Sequence, residues 1–260
     1  MRSLLLVLDT STEVTVVGLA WVEDGTVAPL ASRTVDAPRA AMSRVLPTAM
    51  ELLSESGLQP RDIAQVIVGR GPGSFTGVRI GVATAKGLAH GLGAPLLGVG
   101  TLDGIAWRFA DQDVLLGVVG DAMRGEVYPT LFRCAGGRAV RLGDDRVAQP
   151  ADVAAEWAGL SKPPTVLTGN GLRKYGAVFA EQLGDGAVVA DEPYWAPSAE
   201  GLFAAYGKAL SSGLLGDGDP GAVLPVYTRL SDAEEAEGAR KGFAPGVTPP
   251  ASGVAGEGAV

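Results

Sequence analysis

The sequence has almost none of the residues that build metal or thiol sites. Its 260 residues include one cysteine, Cys134, and one histidine, His90. A disulfide within the chain is therefore excluded, and such low cysteine usage is typical of a reducing, cytoplasmic compartment. Neither a zinc site with two histidines nor a CxxC pair can be formed. Catalysis by a Ser/His/Asp triad would have His90 as its one base, and a lone histidine near the end of a helix is more often a surface residue.

Long apolar runs and basic clusters are also missing. Hydrophobic residues make up 47% of the chain, yet no run approaches the roughly 18 residues needed to span a bilayer. The first apolar run, residues 4–8, ends at Asp9 and is too short for the core of a secretion signal, so it predicts a buried strand. The net charge of −8 argues against nucleic-acid binding by this chain alone. We therefore expect any action on RNA to depend on a partner that holds the RNA.

The most informative segment is GRGPGSFTGVRIG at residues 69–81. It follows an apolar run at residues 66–68 and precedes a predicted helix over residues 76–92. A strand, a glycine-rich turn and a helix start together can form an anion site, because free backbone N–H groups and the helix dipole converge there. The segment matches neither the P-loop nor the dinucleotide fingerprint. It is thus a candidate for binding a nucleotide or phosphate, and a tight turn without a ligand stays the alternative.

The chain also contains a faint internal repeat. Residues 4–8 run into Asp9, and the apolar residues 114–120 run into Asp121. Each aspartate is followed by further β-rich stretches and then by alternating helices and strands, with a third strand of the second half predicted at residues 138–147. This pattern predicts a duplicated α/β unit. The segment 244–260 is rich in Gly, Pro, Ala and Ser, and it is predicted to be disordered.

Four motifs closely resemble one family, TsaB, which is also called YeaZ. They are VLDTST at residues 7–12, GPGSFTGVRIG at 71–81 with AKGLA at 85–89, DAMRGEVY at 121–128, and PVYTR at 225–229. They occur in order and cover the chain from residue 4 to about residue 230. The duplicated layout is similar to the wider actin/hexokinase-like superfamily, which is also called ASKHA or ribonuclease H-like.

The resemblance implies two α/β subdomains in this fold. We expect an N-terminal subdomain over residues 1–105, a C-terminal one over residues 106–232, and a disordered tail over residues 233–260. It also implies a nucleotide or phosphate site of five residues. These are Asp9, Thr10, Gly71, Gly73 and Ser74.

Other interpretations of single residues stay open. Asp9 could organise water and magnesium, or it could cap the adjacent turn. Asp121 with Arg124 could contact a phosphate or mark a solvated turn, and Lys86 could reach the anion site or lie on an exposed helix face.

The absence of a metal site separates this chain from the catalytic relative of the family, TsaD. In that relative a helix after the second strand–helix unit carries a His-x-x-x-His pair that binds a metal. The corresponding positions here are Thr101 and Ile105. An isoleucine cannot coordinate a metal, and a lone threonine is a poor ligand. We therefore expect neither catalytic residues nor a metal site in this chain.

A stripe of small residues marks the predicted glycine-loop helix. Gly77, Gly81, Ala85 and Ala89 recur at every fourth position and so lie on one helical face. Such a face permits the close approach of another helix, and the resemblance implies that this helix and the one over residues 40–56 pair with a partner. We predict a partner interface on this stripe; packing against the chain's own sheet is the alternative.

The resemblance implies a non-catalytic subunit that dimerises with a TsaD-type subunit and is required for its activity. The assembly forms N6-threonylcarbamoyladenosine at position 37 of tRNAs reading ANN codons. A TsaE-type ATPase joins it, tRNA is bound only through the complex, and a homodimer can form when the chain is alone. No cofactor is intrinsic; ATP or ADP with magnesium belongs to the complex interface. The alternative is a stand-alone ATP-dependent enzyme of the same superfamily or a glycoprotease-like peptidase.

Overall fold

The computed structural model describes residues 2–36, 40–213 and 216–228, and Met1–Val226 form one compact unit. Two five-stranded sheets and six α-helices build this unit in the described residues. The elements of the first half are β1 Ser3–Asp9, β2 Val14–Glu23, β3 Thr26–Asp36, α1 Ala41–Glu55, β4 Ile63–Gly69, α2 Phe75–Leu92, β5 Leu96–Val99 and α3 Thr101–Ala106. Those of the second half are β6 Val114–Met123, β7 Glu126–Ala135, β8 Arg138–Arg141, α4 Pro150–Ala158, β9 Val166–Thr168, α5 Leu172–Leu183, β10 Val188–Val189 and α6 Ala199–Ser211.

The two sheets repeat one topology. The strand orders are β3-β2-β1-β4-β5 and β8-β7-β6-β9-β10. In each sheet the first three strands form an antiparallel meander, and the remaining strands pair in parallel through helical crossovers. The predicted duplication is confirmed, and the chain has an actin/hexokinase-like fold.

Local chemistry explains where the glycine-loop helix begins and ends. The Ser74 hydroxyl caps the start of α2 by accepting a 3.3 Å hydrogen bond from the Gly77 N–H. Gly93 ends the helix in the left-handed conformation, with φ 63°, which glycine adopts without steric cost. The β1 strand is buried over most of its length, as expected for a strand covered by helices on both faces.

One helix from each half packs against the sheet of the other half. On the first sheet, α1 and α2 cover one face and α6 covers the other, although α6 is the last helix in the chain. On the second sheet, α4 and α5 cover one face, and α3 packs on the other. Because α3 and α6 each pack on the other half's sheet, the cores do not follow a simple linear division. The predicted boundary near residue 105 stays a prediction.

Some elements differ from the sequence-based expectation. The predicted strand over residues 138–147 pairs only over Arg138–Arg141. The α6 helix was not predicted, because its apolar face follows the break made by Pro193 and Pro197. The predicted tail at residues 233–260 lies outside the described residues. Within the described residues, no helix has the length and apolar character that crossing a membrane requires.

Candidate functional site

The glycine loop joins β4 to α2 and is held closely against the β1–β2 turn. Gly71 has φ +88°, a conformation that favours glycine. A Cβ at Gly73 would lie 2.4 Å from the Ser11 carbonyl oxygen, so only glycine fits there. The Ser74 N–H donates a 2.7 Å hydrogen bond to that same oxygen. The loop and the turn after β1 therefore form one packed unit.

Asp9 lies at the centre of this unit, in a closed hydrogen-bond network. Its carboxylate accepts a 2.6 Å bond from the Thr101 hydroxyl and a 2.7 Å bond from the Ser11 N–H. Because the Thr101 proton is used in this way, Thr101 accepts from the Gly71 N–H at 3.1 Å and from the Ser11 hydroxyl at 2.9 Å. Asp9 and Thr101 are both fully buried. The network links β1, the glycine loop and the start of α3.

Burial also affects the titration of Asp9. Desolvation raises the pKa of the Asp9 carboxyl above its ordinary value, and the hydrogen bonds from Thr101 and Ser11 oppose that shift. Both oxygens of this fully buried carboxylate already accept hydrogen bonds from the chain. The arrangement fits a structural carboxyl better than a magnesium ligand, and of the two roles left open for Asp9 the geometry favours the structural one.

The loop also uses its own N–H groups. Those of Gly71, Ser74 and Gly77 donate to Thr101, Ser11 and Ser74 respectively. Thr10, the remaining predicted contact, donates its hydroxyl proton to the Gly77 carbonyl at 2.6 Å. The five predicted phosphate-site residues are thus brought together, and several of their polar groups are used in hydrogen bonds within the chain. Nucleotide binding by the chain stays a prediction.

Thr101 and Ile105, which the resemblance matches to the metal-binding histidines of the catalytic relative, are both buried. Thr101 belongs to the Asp9 network, and Ile105 is 1% exposed within the apolar core of the second sheet. Within the described ranges, no group of three or more His, Cys, Asp or Glu residues could hold a metal ion.

The stripe of small residues on α2 faces inward, which corrects the interface prediction. Ala85 and Ala89 are 0% and 1% exposed in the core beneath the first sheet. A Cβ at Gly77 would lie 2.1 Å from the Thr10 carbonyl oxygen, and one at Gly81 would lie 2.5 Å from the Thr10 hydroxyl oxygen. The small side chains let α2 approach the chain's own β1–β2 turn. Assignment of these four residues to a partner interface is therefore wrong.

The opposite side of α2, together with α1, carries exposed apolar side chains. Met42 and Leu46 on α1 are 76% and 42% exposed, and Phe75 on α2 is 42% exposed. The Arg79 guanidinium lies 3.8 Å from the centre of the Phe75 ring, and Ala83 follows one turn later as a further exposed residue. We call these five residues the outer face. The two helices pack on the same side of the first sheet and contact each other.

The second aspartate motif has a different environment. Asp121 ends its run at the β6–β7 turn, where it accepts a 2.5 Å bond from Lys174 and a 3.0 Å bond from the Met123 N–H. It is thus paired with Lys174, and its hydrogen bonds support the turn. Lys86, whose role was left open, donates to the Gly221 carbonyl at 3.3 Å.

Sequence reasoning missed the residues that connect the halves beside this turn. Asn170 lies between β9 and α5, donates a 2.8 Å bond to Glu13 and accepts a 2.9 Å bond from the Asp121 N–H. Tyr128 on β7 donates to the Gly73 carbonyl at 3.4 Å. The Gly-Asn-Gly turn at residues 169–171 was the signal that could have identified Asn170.

Comparison with known proteins gives a consistent picture. The family model described as TsaD, tRNA N6-adenosine threonylcarbamoyltransferase, matches residues 35–180. The chain is 30% identical to the tRNA threonylcarbamoyladenosine biosynthesis protein TsaB of Bacillus subtilis over 194 residues, covering 74% of this chain and 80% of that protein. It is 35% identical to an uncharacterised protein of Mycobacterium leprae over 211 residues, covering 78% of this chain but only 54% of the relative.

A solved structure supports the same assignment. A Pseudomonas aeruginosa protein described as similar to peptidase YeaZ superposes with a TM-score of 0.71 and 32% identity, covering 87% of this chain and 100% of that one. The sequence motifs, the duplicated fold and these relatives agree. The chain belongs to the TsaB (YeaZ) family of tRNA threonylcarbamoyladenosine biosynthesis proteins.

Proposed function

We propose that this chain is a non-catalytic subunit of the assembly that forms N6-threonylcarbamoyladenosine at position 37 of tRNAs reading ANN codons. Its role is to bind a TsaD-type subunit and make that subunit active. The observation that carries this proposal is the buried Asp9–Thr101 bond, which occupies the place where the catalytic relative has a metal-binding histidine. Family membership supports the pathway, and the closed network supports the non-catalytic role.

The outer face is the surface that we assign to the partner. It combines exposed apolar side chains on two neighbouring helices with the positive charge of Arg79, and exposed apolar patches mark interaction sites. The exposed Arg44 adds a second positive charge on α1, whereas Glu51 and Glu55 are paired with Arg33. A partner helix pair with apolar residues and carboxylates would complement this surface.

We assign the binding of tRNA and of nucleotide to the partner subunits. The net charge of −8 favours tRNA binding through the complex, in the cytoplasm. Several N–H groups of the glycine loop already donate hydrogen bonds within the chain. We therefore assign the binding of ATP or ADP, with magnesium, to other subunits, including a TsaE-type ATPase. When the partner is absent, the outer face is free to pair two copies of this chain.

Reconstitution tests the proposal. The chain, the TsaD-type subunit of the same organism and the ATPase are mixed with unmodified tRNA and the threonylcarbamoyl donor, and modified adenosine is measured by mass spectrometry. We expect product only when the chain and the catalytic subunit are both present. Modification by the catalytic subunit alone at an equal rate would overturn the proposal. Turnover of ATP or peptides by the chain alone would instead favour the stand-alone enzyme.

A further inference from the structure

The two halves of the molecule meet at a close helix crossing. The α3 helix packs on the second sheet and α6 on the first, and the two helices contact each other. A Cβ at Gly201 would lie 2.0 Å from the Gly104 carbonyl oxygen. A Cβ at Gly104 would lie 2.6 Å from a methyl group of Leu202. The backbones therefore touch at the glycines, and this crossing joins the two cores by apolar contact.

A polar contact joins the halves at a second place. Asn170 belongs to the second half, and its side-chain amide donates a 2.8 Å hydrogen bond to Glu13 in the turn between β1 and β2. Its carbonyl oxygen accepts from the Asp121 N–H at 2.9 Å. Because a backbone N–H can only donate, the orientation of the amide is fixed, and its NH₂ group must face Glu13. The Arg173 guanidinium adds an ion pair to Glu13 at 3.6 Å.

Both ends of this contact are anchored on rigid structure. Asn170 stands between Gly169, with φ +108°, and Gly171, and a Cβ at Gly169 would lie 2.3 Å from the Val119 carbonyl oxygen. The turn is therefore pressed against β6. On the other side, Glu13 follows the Asp9 and Ser11 segment, which the buried network holds in place. Because each side of the contact is held within its own half, the Glu13–Asn170 distance should report how far the halves are closed.

We propose that Glu13 and Asn170 form a clasp that holds the two halves at a fixed closure about the Gly104–Gly201 crossing. The hydrogen bond from Tyr128 to the Gly73 carbonyl lies where the second half meets the start of α2. Opening the clasp therefore shifts the contact at the glycine loop. The clasp belongs to the isolated chain and does not depend on the proposed function.

Substitutions at the clasp can turn the attraction between residues 13 and 170 into a repulsion while keeping side chains of the same size. In Asn170→Asp, one carboxylate oxygen still accepts from the Asp121 N–H, but the other faces the Glu13 carboxylate. Two carboxylates at this distance repel each other. The double variant Glu13→Gln with Asn170→Asp restores an amide-to-carboxylate bond in the opposite direction. Glu13→Gln alone keeps an acceptor for Asn170 and serves as the matched control.

The closure can be measured by pulsed electron paramagnetic resonance between two spin labels. Ser54→Cys on α1 and Ala155→Cys on α4 place labels at exposed positions of the two halves. The native Cys134 is buried, and burial raises the pKa of its thiol to about 11, so it does not compete for the label. Dilution with unlabelled chain removes distances between copies.

We expect one narrow distance distribution for the unsubstituted chain and for Glu13→Gln. Asn170→Asp should broaden the distribution and move its maximum, and the double variant should restore it. An unchanged distribution in Asn170→Asp, or a double variant that stays broad, would overturn the clasp. If Asn170→Asp fails to fold by circular dichroism, Glu13→Ala replaces it. A distribution for Glu13→Ala that matches the unsubstituted chain would then refute the proposal.

Discussion

The Thr101 hydroxyl donates a 2.6 Å hydrogen bond to the Asp9 carboxylate, and neither residue is exposed. This bond links the end of β1 to the start of α3 across more than ninety residues of chain. It also gives the buried carboxylate a partner that carries no charge. The same Thr101 hydroxyl accepts a hydrogen bond from the Gly71 N–H. Asp9 therefore helps to hold the glycine loop in shape.

Removing the hydroxyl should destabilise the fold. Thr101→Val keeps the shape of the side chain but leaves the Asp9 carboxylate and the Gly71 N–H without this partner. Unpaired buried groups of this kind cost about 1–3 kcal/mol each, so we expect a loss of about 3 kcal/mol in the free energy of unfolding. Thr101→Ser keeps the hydroxyl and should cost only about 1 kcal/mol for the lost methyl group. Urea denaturation measures both, and equal losses in the two variants would contradict the role assigned to the hydroxyl.

Asp9 should make stability depend on pH in a defined direction. Its folded pKa is raised, first by burial, so the folded state keeps its proton at pH values where the unfolded state has lost it. The stability it contributes is therefore complete below the unfolded value of 3.8 and is lost as the pH rises through the folded pKa.

Asp9→Asn cannot titrate and tests this direction. Relative to the unsubstituted chain, its free energy of unfolding should improve as the pH rises from about 4 to about 7. Urea denaturation across that range measures the difference. A difference that stays constant with pH would show that Asp9 keeps an ordinary pKa in the folded chain.

The glycines of α2 should divide into two groups. A Cβ at Gly77 would lie 2.1 Å from a backbone oxygen, whereas one at Gly87 meets nothing within 4 Å. Gly77→Ala forces the backbone apart and should lower the free energy of unfolding by about 2 kcal/mol. Gly87→Ala removes only the cost of glycine in a helix and should raise it by up to about 1 kcal/mol. Thermal melting compares the two, and a stable Gly77→Ala variant would mean that α2 does not press against the β1–β2 turn.

The sequence was sufficient to predict the duplicated unit and most strands and helices, because apolar periodicity is a local signal. It also placed Asp9, Gly71 and Ser74 at one point of the fold. It could not show how these residues use their hydrogen bonds, since Thr101 reaches Asp9 from a distant part of the chain. The phosphate interpretation depended on free N–H groups, and only the structure shows that several of them are used internally.

The small-residue stripe shows a second limit of sequence reasoning. Spacing shows that Gly77, Gly81, Ala85 and Ala89 share a face, and small size shows that something approaches that face closely. Neither property tells whether the neighbour is the chain's own sheet or a partner. Only the structure shows that bulky side chains on the other side of α2, such as Phe75, are exposed.

A matched pair of tryptophan substitutions separates the two faces of α2. Ala85 is fully buried, so Ala85→Trp inserts a large ring into a packed core and should unfold the chain or cost several times the roughly 1–3 kcal/mol of ordinary overpacking. Ala83 is exposed on the outer face, so Ala83→Trp should leave the fold intact. If the outer face binds the TsaD-type subunit, the ring at position 83 obstructs close packing of the partner helices. We expect at least a tenfold loss of affinity, about 1.4 kcal/mol.

Two measurements on each variant check this pair. Circular dichroism during heating reports the fold, and gel filtration or calorimetry with the catalytic subunit reports binding. A folded Ala83→Trp variant that binds with unchanged affinity would move the interface away from the outer face. A folded Ala85→Trp variant that loses binding would return the interface to the inner stripe, against its burial in this structure.

Leu160→Trp is the control for a bulky ring on an exposed site remote in sequence, since Leu160 lies just beyond α4 and is 37% exposed. It should change neither the fold nor the affinity, because Leu160 belongs to neither α1 nor α2 and is partly exposed.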